Sequence, residues 1–473
     1  MKIKLRRRKV KEADDFNRTY LGRTFNVTHL TLLVLSLLSL IIAIVLLVVM
    51  LTSTEQKFYF DSSNPITYVF FGLLILFFIS VCGLVVIQML GRDLMPTYSE
   101  YKKAKNRIKY LKKKSRFPEL LDYDYTHETF TKEISDKGIT LESFCDNFRN
   151  YCADELHLFY SLDDIRKFVA SLGVSKIMIL QGMSGTGKTS IAVAFGKYIN
   201  NSSTVVPVQP MWKEKSDLLG YYNEFTGKFN ETTILKKLYE ATFSDKINII
   251  ILDEMNIARV EYYFSEFLSL LELPATSERM MVVASNGSEG DPKKMDRGKI
   301  LLPNNVWFLG TANNDDSTFA ISDKVYDRAM VMNLNNRAAR FKSPQKTTSA
   351  HLSSTDFFAL VDKAVKDTVI SKKALDQIEE FDSYLVSTFG ITFGNRIMMQ
   401  MKKYVPIYIA CGGKELEAID DLIAKKILRK LEAQKPIYVK NKSQELINKL
   451  DEVFGEDVMQ YSIQYIKTLV NSI

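Results

Sequence analysis

Apolar positions follow three regimes along the chain. Residues 30–51 and 66–90 hold no charged side chain, and each is long enough for the about 20 helical residues that cross a hydrocarbon core of ~30 Å. They predict two membrane-spanning helices joined by a short connector, residues 52–65. Between residues 177 and 309 short apolar runs alternate with segments of helical period. Strands are expected at 177–180, 204–209, 247–252 and 306–309, and helices at 187–199, 232–243 and 260–273. Strand–helix alternation is the mark of a parallel sheet covered on both faces. Beyond about residue 353 only helical period remains, at 357–365, 374–387, 396–410, 415–431, 444–454 and 458–470. Two helices, 141–152 and 162–172, precede the sheet. The second opens after Ser161 with Asp163 and Asp164 in its first turn, where acidic groups complement the helix dipole. The expected fold class is therefore α/β, a parallel sheet followed by a helical domain and preceded by two transmembrane α-helices.

Charge refines this picture. The 473 residues carry a net charge of +8, which alone suggests a nucleic-acid partner. Divided at residue 116, however, the chain has 20 basic and 7 acidic groups before that point and 43 basic and 48 acidic after it. The basicity belongs to the flanks of the apolar pair. Residues 1–29 hold nine Lys or Arg against three acidic residues, and residues 91–116 hold ten against two. Positive flanks on both sides predict a multi-pass protein of the cell membrane with both termini in the cytoplasm, and they also attract anionic lipid head groups of the bilayer. A nucleic-acid role for the basic run 102–114 stays open. A cleaved signal peptide is the competing reading of the first span, weakened by the length of the apolar stretch and the lack of a small-residue cleavage site. Four scattered histidines and four cysteines give neither a zinc spacing nor a disulfide framework.

Candidate chemistry is concentrated in one stretch. Gly182-Met183-Ser184-Gly185-Thr186-Gly187-Lys188-Thr189, followed by Ser190, joins the first expected strand to the first expected helix of the sheet. Strand, glycine-rich loop and helix form the context in which GxxxxGK[ST] cradles phosphate. The glycines let backbone N–H groups converge on the anion, and the helix start adds its positive dipole end. Lys188 is expected to reach the β and γ phosphates and Thr189 to hold Mg²⁺. The strand at 247–252 ends in Asp253 and Glu254, at the carboxyl edge of the sheet where ligands of such sheets bind. Asp253 is expected to order hydrated Mg²⁺ and Glu254 to polarise the attacking water. Gly310-Thr311-Ala312-Asn313 follows the next strand, and the Asn313 amide is a candidate to hold that water against the γ phosphate. Arg328 has two readings. It is either a finger reaching a neighbouring subunit's γ phosphate or a helix-surface residue paired with Asp327 or Asp323.

These segments, with Met255-Asn256-Ile257-Ala258-Arg259, Tyr263-Phe264-Ser265-Glu266-Phe267-Leu268-Ser269-Leu270-Leu271-Glu272, Val208-Gln209-Pro210-Met211-Trp212 and Ser216-Asp217-Leu218-Leu219-Gly220-Tyr221-Tyr222-Asn223, resemble the AAA+ ATPase domain of McrB-like proteins. The resemblance spans roughly residues 155–335, with a weaker echo near 417–431. It implies an AAA+ P-loop parallel sheet with a helical lid, ATP (GTP possible) and Mg²⁺ as ligands, and a homo-oligomeric, typically hexameric ring with its site at the subunit boundary. By the same resemblance Asn313 is the first sensor, Arg328 the finger acting in trans, and Arg396 in Thr392-Phe393-Gly394-Asn395-Arg396 a second sensor from the lid. A helix-bearing insertion that takes in 220–229 is expected after the second strand, and a hairpin from 280–284 to 299–302. The apolar pair occupies the position where McrB-like relatives carry a DNA-reading domain, so DNA recognition does not carry over.

The organisation expected is a basic cytoplasmic arm (1–29), a membrane hairpin (30–90), a juxtamembrane stalk (91–140), the AAA+ α/β domain (141–340) and the lid with C-terminal helices (341–473). The expected activity is that of a membrane-anchored NTPase that remodels or moves an unidentified protein or nucleic-acid partner, as in a defence-type motor. A MoxR-like chaperone for membrane-associated complexes and a nucleotide-gated non-catalytic scaffold are the alternatives.

Overall fold

A computed structural model describes residues 20–52, 65–92, 110–112, 114–127, 129–183, 185–274, 276–288, 290–313, 318–335, 338–344 and 347–471. The basic arm before residue 20 and residues 93–109, 113 and 128 of the stalk therefore lie outside the described residues. The chain divides into two units, Met1–Pro118 with Asp124–Glu128, and Glu119–Tyr123 with Thr129–Ile473.

The first unit is built on α1 (Tyr20–Thr52) and α2 (Pro65–Arg92), which pack against each other. Within them Thr28–Val49 and Pro65–Val86 are long and apolar enough to cross a membrane. Ser39 and Ser80 are buried, while Leu37, Ile41, Val45, Phe78 and Ile79 face outward. The two hydroxyls bond to backbone carbonyls of their own helices, at Ser36 and Leu76, so neither is left unsatisfied by its burial.

In the second unit, α3 (Leu141–Leu156) and α4 (Leu162–Val174) lead into a five-stranded sheet. Both starts are capped as their sequences ask: the Thr140 hydroxyl accepts from Ser143 N–H and the Ser161 hydroxyl from Asp164 N–H. Then come β1 (Ile177–Gln181), α5 (Lys188–Tyr198), β2 (Thr204–Pro207), α6 (Lys215–Leu219), β3 (Gly220–Asn223), β4 (Lys228–Glu231), α7 (Thr233–Ala241) and β5 (Asn248–Asp253). They are followed by α8 (Val260–Tyr263), α9 (Ser265–Leu270), β6 (Met280–Val282), β7 (Met295–Asp296), β8 (Lys299–Leu301), β9 (Val306–Ala312), α10 (Asp323–Tyr326) and β10 (Met330–Asn333). The main sheet has the order β10-β1-β9-β5-β2, with every pairing parallel. β1, β5 and β9 are buried on both faces, as their unbroken apolar runs require. Beneath them Phe148 stacks on Tyr198 and meets Phe195 edge-on, joining α3 to α5.

The helical region holds α11 (Ser354–Asp367), α12 (Lys372–Phe389), α13 (Gly394–Ala410), α14 (Glu415–Leu422), α15 (Pro436–Phe454) and α16 (Gln460–Asn471). Three local expectations need correction. The single helix expected at 260–273 is broken at Phe264, whose ring is buried and stacks on Phe267 and against Phe308 of β9. The helix expected at 415–431 passes through a π turn, Ile423–Ile427, before a 3-10 segment, Leu428–Ala433. That shift turns Lys425 and Lys426 inward, where both are buried. β10 was not expected at all; its Met-Val-Met run is short, and only pairing with β1 makes it a strand. The expected 220–229 insertion is an antiparallel hairpin, β3–β4. The hairpin expected at 280–302 forms from β6 and β8, with β7 added on the far side of β8.

Candidate active site at the carboxyl edge of the sheet

The glycine-rich loop leaves the carboxyl end of β1. Gly182 has φ +146°, and a Cβ there would lie 2.4 Å from the Leu334 carbonyl oxygen, so no other residue fits. Lys188, buried at the start of α5, folds its ammonium back to donate to the Gly182 and Met183 carbonyls, each at 2.8 Å. Thr186 closes the turn by donating to Met183 O at 2.9 Å. Gly185 and Gly187 take positive φ, and Ser190 lies half-buried in the first turn of α5. Ser184 lies outside the described residues.

Two strands away, β5 delivers Asp253 to the same edge. Its Oδ1 accepts from the Thr189 hydroxyl at 2.8 Å and from the Thr311 hydroxyl at 2.9 Å. Thr311 was not singled out from the sequence, although it lies in the quoted Gly310–Asn313 motif. Its oxygen also accepts from Glu254 N–H at 2.8 Å, so one threonine fixes both acidic residues. Glu254 is exposed and sits in the left-handed region at φ 53°, ψ 48°. That conformation costs energy for a residue other than glycine, and strain of this kind gathers at functional sites. Met255, next in sequence, is buried against Gly310 of β9, where a Cβ would lie 1.9 Å from its sulfur.

Asn313 follows β9. Its carbonyl accepts from Asn256 Nδ2 at 2.8 Å and from the Thr318 hydroxyl at 3.0 Å. It lines a cavity of about 1140 Å³ shared with Gly182, Met183 and the lid residues Arg429, Tyr461 and Tyr465. Acidic and basic groups alternate along one wall. Lys167 lies 2.8 Å from Asp163 and 3.3 Å from Asp421, and Lys425 lies 2.5 Å from Asp421. Burial disfavours the Lys167 charge, but the two carboxylates overcome it and raise its pKa; for Lys425 burial prevails and the pKa falls.

The sequence of residues 177–329 matches the family described as AAA domain, dynein-related subfamily. This segment is an AAA+ ATPase domain. Residues 346–471 match a second family, described as a domain of unknown function, DUF8727. Over 221 residues the chain is 25% identical to the "Type IV methyl-directed restriction enzyme EcoKMcrB subunit" of Escherichia coli (strain K12). That match takes in 44% of this chain and 46% of the relative, so the chain spans about half of that protein's length. A solved crystal structure of a Cytophaga hutchinsonii protein aligns with 74% of this chain and 98% of its own, at 14% identity and a TM-score of 0.41.

Arg328 does not form the surface pair that one of its two readings expects. Among the described residues it forms its ion pair with Glu272, at 3.2 Å, and not with Asp327 or Asp323. Arg396 bonds the other oxygen of the same carboxylate, at 2.8 Å. Among the described residues neither arginine lines the cavity. Arg429 does: it pairs with Asp323, lies 3.8 Å above the Tyr326 ring, and leaves its buried Nε without a hydrogen-bond partner among the described residues. The Tyr326 hydroxyl accepts from Gln181 of β1, tying this arginine's platform to the strand that carries the AAA+ phosphate loop. The one signal for Arg429 in the sequence was the echo near 417–431, which names no residue.

Proposed function

We propose that this chain is a membrane-anchored NTPase that binds Mg·ATP at the 182–190 loop and hydrolyses it within a homo-oligomeric, hexameric ring. The observation that carries the reading is the 2.8 Å hydrogen bond from Thr189 to Asp253. It joins the two expected metal-binding groups, 64 residues apart in sequence. A hydroxyl and a carboxylate are the hard oxygen donors that suit Mg²⁺, and that ion, once bound, neutralises charge on the phosphate oxygens.

The remaining roles follow from chemistry and position. Lys188 exchanges its two loop carbonyls for phosphate oxygens, a stronger, charge-assisted partner. Glu254 takes a proton from the attacking water, its backbone held by Thr311, and Asn313 orients that water. Arg429, which lines the same cavity as Gly182 and Met183, acts in cis and takes the second-sensor role for which Arg396 was the sequence candidate. Arg328 serves the neighbouring subunit, where an arginine of this kind is worth ~10³ to 10⁵ in rate. The basic flanks of the apolar pair support a topology with both termini and the AAA+ domain in the cytoplasm.

The test is hydrolysis of ATP and of GTP by the full chain in detergent, followed against protein concentration, with Glu254→Gln and Arg328→Ala alongside. Activity per subunit that climbs with concentration and is lost in both variants is expected. Turnover independent of concentration refutes the shared site. Nucleotide binding without turnover refutes the enzyme and leaves a nucleotide-gated scaffold. A pull-down then separates the two catalytic readings: a nuclease-like partner supports a McrB-like motor, and membrane-protein clients support a MoxR-like chaperone.

A further inference from the structure

Arg328 comes from the sheet region and Arg396 from the helical lid, and the two meet on one carboxylate. Arg328 lies between α10 and β10, Arg396 in the first turn of the lid helix α13, and Glu272 just beyond α9. A single glutamate thus holds two guanidiniums side by side, one on each oxygen. The lid grips the Arg328 segment at further points. Gln400, one turn along α13 from Arg396, donates to Asp327 O at 3.0 Å, and Lys426 donates to the Tyr326 and Ala329 carbonyls. The pair is part of a braced body rather than two separate surface side chains. Its donors are not all used: the buried Arg328 Nε has no hydrogen-bond partner among the described residues.

Topology decides which nucleotide these arginines can serve. The Ser175 hydroxyl donates to Arg328 O at 2.9 Å, which fixes Arg328 at the amino end of β1. The phosphate loop leaves the carboxyl end of that strand, seven residues on, at Gly182. At ~3.3 Å per residue the two lie roughly 20 Å apart, well beyond the reach of an arginine side chain. Arg396, bonded to the same carboxylate, shares that distant edge.

We infer that Arg396 acts in trans, as the second member of an arginine pair that Glu272 presents to the nucleotide of the neighbouring subunit. Glu272 is the positioning residue: it offsets the repulsion between the two cations and sets their spacing, which suits the several oxygens of a terminal phosphate. This rests on the ring proposed above, and it gives a trans role to the residue that the resemblance named as the lid's second sensor.

Complementation between inactive subunits of the full chain in detergent tests it. Lys188→Ala removes a subunit's own nucleotide chemistry and keeps its arginines. Arg396→Ala keeps the phosphate loop and lacks one arginine. If Arg396 acts in trans, mixing the two restores hydrolysis, because about a quarter of the interfaces in a randomly mixed ring join an intact loop to an intact pair. Arg328→Ala and Glu272→Gln fall in the same class: each is restored by Lys188→Ala and neither restores the other or Arg396→Ala. Restoration of Arg328→Ala without restoration of Arg396→Ala overturns the inference and leaves the ring standing. Failure of Arg328→Ala to be restored overturns the ring and the inference with it. Binding of a fluorescent ATP analogue guards against misfolding: Arg396→Ala is expected to bind within about twofold of wild type, whereas a cis-acting arginine predicts a loss of tenfold or more. If the alanine variant does not bind at all, Arg396→Lys, which retains a cation for Glu272, replaces it in the mixture and is judged by the same two outcomes.

Discussion

Gly310→Ala probes how the sheet holds the Glu254 turn. Gly310 lies mid-strand in β9, buried, and a Cβ there would fall 1.9 Å from Met255 Sδ, 2.7 Å from Cε and 2.9 Å from Cγ. Three atoms of one side chain are too close, so rotating the terminal methyl is not enough and the whole Met255 side chain must leave its place. Overpacking of this kind costs about 1–3 kcal/mol, and loss of unfolded-state freedom on replacing glycine returns about 0.4–1 kcal/mol. The net expectation is a loss of about 1–2 kcal/mol. Since 1 kcal/mol corresponds to about 2–4 °C for a domain of 150–250 residues, the thermal midpoint of the full chain in detergent should fall by about 2–8 °C. The decisive measurement is the double variant. Met255→Ala alone leaves a cavity and costs about 2–5 kcal/mol, but it also removes the atoms that the new methyl strikes. Gly310→Ala with Met255→Ala should therefore be more stable than the sum of the two, by about 1–2 kcal/mol of coupling. Because Met255 adjoins Glu254, Gly310→Ala should also lower kcat while leaving the KM for nucleotide nearly unchanged. Additive midpoints, within about 0.5 kcal/mol, would refute the account of why a glycine stands in this strand.

Further outcomes follow from the same geometry. Thr311→Val removes a hydroxyl that binds both acidic residues; it should cost about 1–3 kcal/mol in stability and lower kcat about tenfold or more, read by steady-state hydrolysis. Glu254→Gln should lower hydrolysis by ~10² to 10⁴ and leave binding of a fluorescent nucleotide analogue intact. Arg429→Ala should weaken nucleotide binding about tenfold or more, the scale of a charge-assisted hydrogen bond, with hydrolysis recovering at saturating nucleotide. Lys426 is buried, and burial, only partly opposed by Asp327, lowers its pKa to about 7 from 10.5. The unfolded chain therefore binds the extra proton between those values, so stability is fullest above pH 10.5 and is lost as pH falls towards 7. Lys426→Met should flatten that slope in denaturant titrations run from pH 7 to 10, and an unchanged slope would show that Lys426 is not its source.

The placement of the glycine-rich loop, Asp253 and Glu254 at the sheet edge was legible in the sequence because each belongs to a contiguous run whose neighbours declare its context. An apolar strand must end at the carboxyl edge of a parallel sheet, and a glycine-rich turn before a helix presents its amides there. The two apolar helices were legible for a similar reason, since length and lack of charge are local properties.

What the sequence could not decide were meetings between side chains far apart along it. Arg328 had two acidic residues close by in sequence, yet Asp323 pairs with Arg429 and Arg328 reaches Glu272. Lys425 and Lys426 look like surface residues of a helix, and only the π turn carries both inside. Gly310 reads as a flaw in a strand until Met255 is packed against it. Short-range pattern fixes which elements form and where backbone amides point, because those depend on steric and hydrogen-bonding preferences within a few residues. The choice of partner for a long charged side chain depends instead on which of several carboxylates the packed elements bring within about 4 Å, and that is a property of the tertiary structure alone.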